Sequence, residues 1–274
     1  MAHCISPGAE KILDKKFKVL DKGFVRLVDY LGNDSRIVQA ARVSYGKGTK
    51  TYREDKGLIN YLLRNDHTSP FEQVVMTFHV KLPIFVARQW IRHRTARVNE
   101  ISGRYSVMKS EFYLPSTADI AFQSENNKQG RATTTVPPSV QKQVLAILEK
   151  YQKELYDKYE ELLEYNIARE LARINLPLSL YTEWYWQIDL HNLFHFLALR
   201  LDPHAQMEIR AYAEVINTIS RNVCPVAFDA FDEHIHCSVR LSKSELAAVR
   251  AMLKGVRFGL EEKAAGRLKA KLGI

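Results

Sequence analysis

The sequence has no Gly-x-Gly-x-x-Gly, no Gly-x-x-x-x-Gly-Lys-Ser/Thr, no His-Glu-x-x-His and no Gly-x-Ser-x-Gly. The usual marks of dinucleotide folds, nucleoside triphosphate loops, zinc proteases and acyl-transfer enzymes are therefore absent. "GKGTK" at Gly46–Lys50 has the residue types of a phosphate loop but not the spacing. Cysteine is scarce, with Cys4, Cys224 and Cys237 showing no Cys-x-x-Cys pair, so reduced thiols in a reducing compartment are expected. No run of about 18 apolar residues occurs, which excludes a hydrophobic membrane-spanning helix. The opening "MAHCISPGAEKILDKKFK" lacks the apolar core of a signal peptide, and a cytoplasmic location is the expectation.

Acidic charge is in short supply at one end. From Ser238 onward nine Lys or Arg face three Glu, so this tail carries +6 of the net +9 and the remaining chain is nearly balanced. That distribution argues against a globally basic nucleic-acid binder. The tail, "SKSELAAVRAMLKGVRFGLEEKAAGRLKAKL", reads as a solvated helical extension over 238–274, with Phe258 its one aromatic for base stacking.

Periodicity predicts an α+β body over 1–237, led in by weakly ordered residues 1–16. "FKVLDKGFVRLVDYLG" reads as a hairpin, "EQVVMTFHVKLP" and "SLYTEWYWQI" as strands with alternating apolar residues. "NDSRIVQAARVSYG" predicts a helix capped near Asp34 or Ser35 and stopped at Gly46. "REDKGLINYLLRND" predicts a second, with Leu58, Tyr61 and Leu62 on one face. Pro83 suits the first residue of a helix through about Arg94. Thr117–Thr135, polar and rich in turn formers, is expected to be a mobile loop. Pro137-Pro138 opens a long amphipathic helix to about Tyr165, and Asn166 can cap another ending near Ile174. Asp189 caps "LHNLFHFLALRL", and a long helix follows the break at Pro203.

What the body does have is arginine in one place. "RQWIRHRTARVNEISGRYS" sets Arg88, Arg92, Arg94, Arg97 and Arg104 within seventeen residues. The electronegative end of a helix partly explains Arg92, His93 and Arg94. It does not explain the loop "NEISGRY", in which Glu and Ser can hydrogen-bond a sugar or base, Gly permits close backbone approach, and Arg forks grip phosphate. A second set, Arg173 and Arg200 with Asp189, His191 and His195 upstream, lies far away in sequence. Two other readings use the same residues: a nucleic-acid-binding module built on the arginines and the tail, and a metal-dependent hydrolase built on the i,i+4 pair His191 and His195. The latter lacks a third carboxylate or Cys nearby, and no metal is expected.

"RHRTARVNEIS" resembles the signature of the flavin-dependent thymidylate synthases: Arg92, His93, Arg94, seven residues, then Ser102. The likeness continues through "LDKGFVRLVDYLGND", "HTSPFEQVVMTFHVKLPIFVARQW", "SGRYS", "ARINLPLSLYTEWYW" and "FLALRLDPHAQMEIR", in order from about Val19 to Phe231. It implies a mixed sheet flanked by long helices, and a homotetramer with active sites shared between subunits. It also implies methylation of dUMP to dTMP, with 5,10-methylenetetrahydrofolate as carbon donor and NADPH reducing bound FAD. FAD contacts would fall to Ser69, Arg92, His93, Arg94, Glu100, Asp189, His191 and His195. Contacts to dUMP would fall to Gln89, Arg92, Glu100, Ser102, Gly103, Arg104, Arg173 and Arg200. The family pattern has Asn and Arg where Asp189, His191 and His195 stand.

Methylating uracil at C5 requires that carbon to become nucleophilic. Cys224, in "RNVCPVAF" at a helix end, reads as a small buried hydrophobe rather than an attacking thiol. Ser102 has no evident base partner and reads as a hydrogen-bonding ligand. The remaining route is electronic: an always-charged guanidinium, Arg200, stabilises uracil deprotonated at N3, so no protein nucleophile is needed. "HIHC", at His234–Cys237, reads as surface.

Overall fold

The computed structural model describes residues 4–43, 52–125, 130–255 and 259–274, the side chains of 52–54 excepted. The chain forms two compact units, Met1–Ala227 and Phe228–Ile274.

The first unit begins with a short helix, α1 (Pro7–Glu10), whose Ala9 is fully buried, while Ser6 donates its hydroxyl to the Val223 carbonyl at 2.9 Å. The expected hairpin follows as β1 (Lys16–Val19) and β2 (Gly23–Leu31), antiparallel with Phe17 opposite Val25. Gly23 cannot be replaced here, because a Cβ would lie 2.0 Å from the Tyr212 hydroxyl. Asn33 caps α2 (Asp34–Arg42) by accepting the Ser35 N–H, one residue before the expected caps. The predicted stop at Gly46 lies outside the described residues. Ile59, Leu62 and Leu63 form the buried face of α3 (Tyr52–Arg64); Tyr61, expected there, is exposed because it lies nearly half a turn from the centre of that face.

β3 (Val75–Pro83) buries Met76, Phe78 and Val80 in strict alternation, as its sequence predicts. The helix that starts after Pro83, α4 (Ile84–Trp90), stops four residues short of Arg94. It ends there because Trp90 is fully buried among Trp184, Trp186 and Phe196, and the chain must turn to run back along the sheet. That return is β4 (Arg97–Glu100), a strand where a loop was expected, with all four residues exposed. The expected mobile loop contains a 3-10 turn, Thr117–Asp119, and a hairpin of β5 (Ala121–Gln123) and β6 (Arg131–Thr135). Backbone pairing orders what composition alone suggested was loose.

α5 (Pro138–Glu164) is the long helix expected after the proline pair. Asn166 adopts φ 56°, a left-handed turn residue rather than a cap, and Ala168 precedes α6 (Arg169–Ala172), which runs into a 3-10 turn at Arg173–Asn175. β7 (Tyr181–Asp189) pairs with β3 along nine residues, from Val75 opposite Asp189 to Pro83 opposite Tyr181. Asp189 caps α7 (Leu190–Arg200) as predicted, and α8 (Met207–Arg221) follows the break at Pro203. α9 (Pro225–Phe231) receives its cap from far away: Asp34 accepts the Val226 and Ala227 N–H groups at 3.0 and 2.9 Å.

The five strands stand in the order β1-β2-β3-β7-β4, and helices accompany them, an α+β arrangement. Every pairing in this sheet is antiparallel, where the resemblance implied a mixed sheet. The strands β3 and β7 run opposite ways, and β4 folds back along the free edge of β7, filling hydrogen bonds that edge would leave open. An aromatic cluster of Trp90, Trp186 and Phe196 pins α4 and α7 to the sheet, with ring centroids 4.9 to 5.1 Å apart.

In the second unit a π-helical turn, Asp232–His236, precedes α10 (Lys243–Leu253) and α11 (Glu262–Leu272). Ser242 and Glu245 form a reciprocal capping box at the start of α10. Lys271 ties α11 to α10 by donating to the buried Glu245 carboxylate at 2.7 Å. No helix among the described residues is long and apolar enough to cross a membrane.

Candidate active site

Arg200 ends α7, and His93 lies in the turn just past α4. Arg200 donates from Nε to His93 Nε2 at 3.0 Å and from Nη2 to the Gln89 carbonyl at 3.3 Å. Burial lowers its pKa, and among the described residues no carboxylate offsets this. His93 is pushed down to about 4, first by burial, then by Arg200 and by His195, whose ring centroid is 5.9 Å away. It is therefore neutral at pH 7 and free to accept the Arg200 proton at Nε2. Among the described residues, the result is a half-buried cation held by neutral acceptors.

The same point is the end of a longer chain of hydrogen bonds. The Gln89 side chain donates to Gln206 Oε1, and Gln206 donates to Glu208 Oε2 at 2.8 Å. Glu208, 1% exposed, also accepts the Tyr113 hydroxyl at 3.0 Å and ion-pairs with Arg131 of the β5–β6 hairpin. Burial raises the Glu208 pKa, but the bonds from Arg131 and Gln206 outweigh it and hold the carboxyl below its usual range. Burial drives the Tyr113 hydroxyl pKa well up, so it remains a donor. A cavity of ≈ 610 Å³ opens beside this chain, bordered by Arg131, Gln206 and Arg210.

A second cluster joins segments that are far apart in sequence. A Cβ on Gly103 would lie 3.1 Å from Arg173 Cδ and 3.1 Å from Met108 Sδ, so the stem of Arg173 rests on the glycine backbone. Ser102 Oγ accepts the Arg104 N–H at 3.3 Å, and Arg104 Nε reaches Glu170 at 3.1 Å in an exposed pair. Arg104, next to Gly103 in sequence, and the stem of Arg173 thus meet at one glycine. Glu100, at the end of β4, is held by the buried Thr182, whose hydroxyl donates to Oε1 at 2.6 Å.

The remaining expected residues are placed less closely. Asp189 spends its carboxylate on the α7 cap, accepting the Asn192 N–H at 2.9 Å and its side chain at 2.7 Å. His191 is half-buried in the first turn of α7. Arg92 and Arg94 are exposed, with no carboxylate partner among the described residues. Ser69 is exposed beside Pro70, in a groove shared with Arg36 and Gln73. Gln206, Glu208, Tyr113 and Arg131 were not singled out from sequence. Their one signal was two polar residues, Gln206 and Glu208, opening an otherwise apolar helix face.

An α+β protein that gathers arginines, of which Arg92, Arg94 and Arg200 have no carboxylate partner among the described residues, and sets a neutral histidine beside Arg200 has the chemistry to grip and polarise a small anion. The family model described as thymidylate synthase complementing protein matches residues 26–226. The chain is 65% identical to a flavin-dependent thymidylate synthase of Treponema denticola, over 95% of this chain and 98% of that one. It is 60% identical to the enzyme of the same name from Treponema pallidum, over 99% and 89%. A UMP/dUMP methylase, PolB of Streptomyces cacaoi, solved with 5-Br dUMP, superposes with a TM-score of 0.73 at 34% identity, covering 80% of this chain and 99% of that one. The chain belongs to the flavin-dependent thymidylate synthase family.

Proposed function

We propose that this protein is a cytoplasmic enzyme that methylates dUMP to dTMP, taking the carbon from 5,10-methylenetetrahydrofolate and holding FAD that NADPH reduces. One observation carries the reading: Arg200 is a half-buried guanidinium whose partners, His93 Nε2 and the Gln89 carbonyl, are both neutral. A permanent cation withdrawn from water without an anion is costly, and a uracil ring deprotonated at N3 supplies that anion. Stabilising that form pushes electron density to C5, the carbon that must attack. Arg200 is the catalytic residue in this reading.

Cys224 supports the same route by default. It is fully buried and burial raises its thiol pKa far above the usual value, so a thiolate attack on C6 is not available to it. Ser102 serves as a ligand, its oxygen already engaged by the Arg104 N–H.

For dUMP, Arg104 and Arg173 around Gly103 suit the phosphate, with Gln89, Arg92, Glu100, Ser102 and Arg200 completing the contacts. FAD fits the donor set as well: exposed, uncompensated Arg92 and Arg94 match a pyrophosphate, with Ser69, His93, Glu100, Asp189, His191 and His195 as further contacts. When bound and reduced, FAD would supply the hydride needed to complete the methyl group. A homotetramer with shared sites is favoured by Leu171 and Ile174, which flank Arg173 and are 56% and 68% exposed in one chain.

The test is direct. Flavin-loaded protein given dUMP, methylenetetrahydrofolate and NADPH should release dTMP on chromatography, with UMP as the competing nucleotide. Folded, flavin-loaded protein that yields no dTMP would overturn the reading.

A further inference from the structure

Asp232, His236 and Cys237 place a carboxylate oxygen, an imidazole nitrogen and a thiol sulfur within 4.8 Å of one another, all inside the second unit. The backbone makes this possible. In a regular α-helix residues five apart point about 140° away from each other. The turn Asp232–His236 is π-helical, and the Cys237 N–H bonds the Asp232 carbonyl at 2.9 Å, five residues back. One wider turn brings residue i+5 round to the side of residue i, next to residue i+4. An uninterrupted α-helix would have left Cys237 on another face.

We propose that these three side chains form a binding site for a zinc-like divalent ion, with water in the fourth position. The donor set is mixed oxygen, nitrogen and sulfur, the chemistry that favours zinc over calcium or magnesium. Tetrahedral zinc at its ordinary bond lengths holds its ligand atoms about 3.6 Å apart, so the three donors need to close by about 1 Å. His236 and Cys237 are exposed at the end of the turn and have the freedom to do so. The His236 ring lies parallel to Phe231, 6° between planes with centroids 5.8 Å apart, which limits its orientation before any metal arrives. Binding displaces the thiol proton of Cys237, and the resulting carboxylate and thiolate neutralise a 2+ ion. This ion is separate from the methylation chemistry, in which no residue of the turn takes part.

Flavin-loaded full-length protein, stripped of metal by a chelator, is titrated with Zn²⁺ alone by calorimetry. Alkylation of each cysteine by iodoacetamide is followed in parallel by mass spectrometry. One equivalent of Zn²⁺ should bind, and Cys237→Ser or His236→Ala should weaken it more than about tenfold, since even indirect changes at a metal site cost that much. In the unaltered protein Zn²⁺ should slow alkylation of Cys237 while leaving Cys4 unchanged. Both measured positions are exposed, so the variants should fold, and the alkylation arm needs no variant. Equal Zn²⁺ affinity in Cys237→Ser, or Cys237 alkylated at the same rate with and without Zn²⁺, would overturn the proposal. Loss of thymidylate synthesis in the variants with unaltered zinc binding would likewise count against it, and zinc binding stands or falls independently of the methylation reading.

Discussion

Arg200 donates to His93 Nε2 at 3.0 Å across 107 residues of sequence, joining the family's Arg-His-Arg motif to the end of α7. The histidine orients the guanidinium without neutralising it. Motif and proposed catalytic cation therefore act as one unit.

Replacing Arg200 with Ala should leave flavin absorbance intact and lower turnover by about 10²–10³, the range for removing one preorganised charge-stabilising group. Arg200→Lys should recover little, because an ammonium cannot bond His93 and Gln89 and still present a planar fork to a ring. Steady-state kinetics on flavin-loaded variants checks both, and full activity in the Ala variant would remove Arg200 from its role.

His93 should titrate near 4 in flavin- and nucleotide-free protein, read from its ring signals by NMR. Because burial and Arg200 depress this pKa, the unfolded chain binds the proton first. Stability should therefore fall as pH drops from about 6.5, the ordinary histidine value, towards 4. His93→Gln, neutral throughout, should flatten that part of the profile. An anion bound beside Arg200 should raise the titration midpoint.

Gly103→Ala should displace the Arg173 stem, since the new methyl would meet Cδ at 3.1 Å. Both close neighbours are flexible side chains, so the fold should survive. The expected result is a several-fold rise in KM for dUMP with unchanged flavin binding; an unchanged KM would separate Arg173 from the nucleotide.

Cys224→Ala should retain full methylation activity, with a stability loss of about 1 kcal/mol from the small cavity, read by thermal or urea unfolding. A folded, flavin-loaded but inactive variant would reinstate a nucleophilic thiol.

Glu208→Gln should cost about 1–3 kcal/mol, because Arg131 would face a neutral amide in a site with 1% exposure. Turnover should fall further than Tyr113→Phe lowers it, since Glu208 alone holds both Arg131 and Gln206.

The sequence made β3 and β7 legible because one side of each is buried and the other is not, and alternation reports that asymmetry. β4 gave no such signal. Arg97, Val98, Asn99 and Glu100 are all exposed, and their extended form comes from pairing with Gln187, Trp186, Tyr185 and Trp184. The motif around Arg92 to Ser102 was readable because its residue types are chemically odd for a surface. The chain from Arg131 through Glu208 and Gln206 to Gln89 was not, because the hairpin, α8 and α4 meet only in three dimensions. Reading Thr117–Thr135 as a loop also hid the one arginine that neutralises Glu208.

The cap that Asp34 places on α9 spans 193 residues between its partners. During synthesis at roughly 5–20 residues per second, Asp34 leaves the ribosome about 10–40 s before the amide groups it will hold. The amino-terminal helices must remain provisional for that interval. Slowing translation late in the message should therefore lengthen the exposure of unfinished protein to chaperones and proteases.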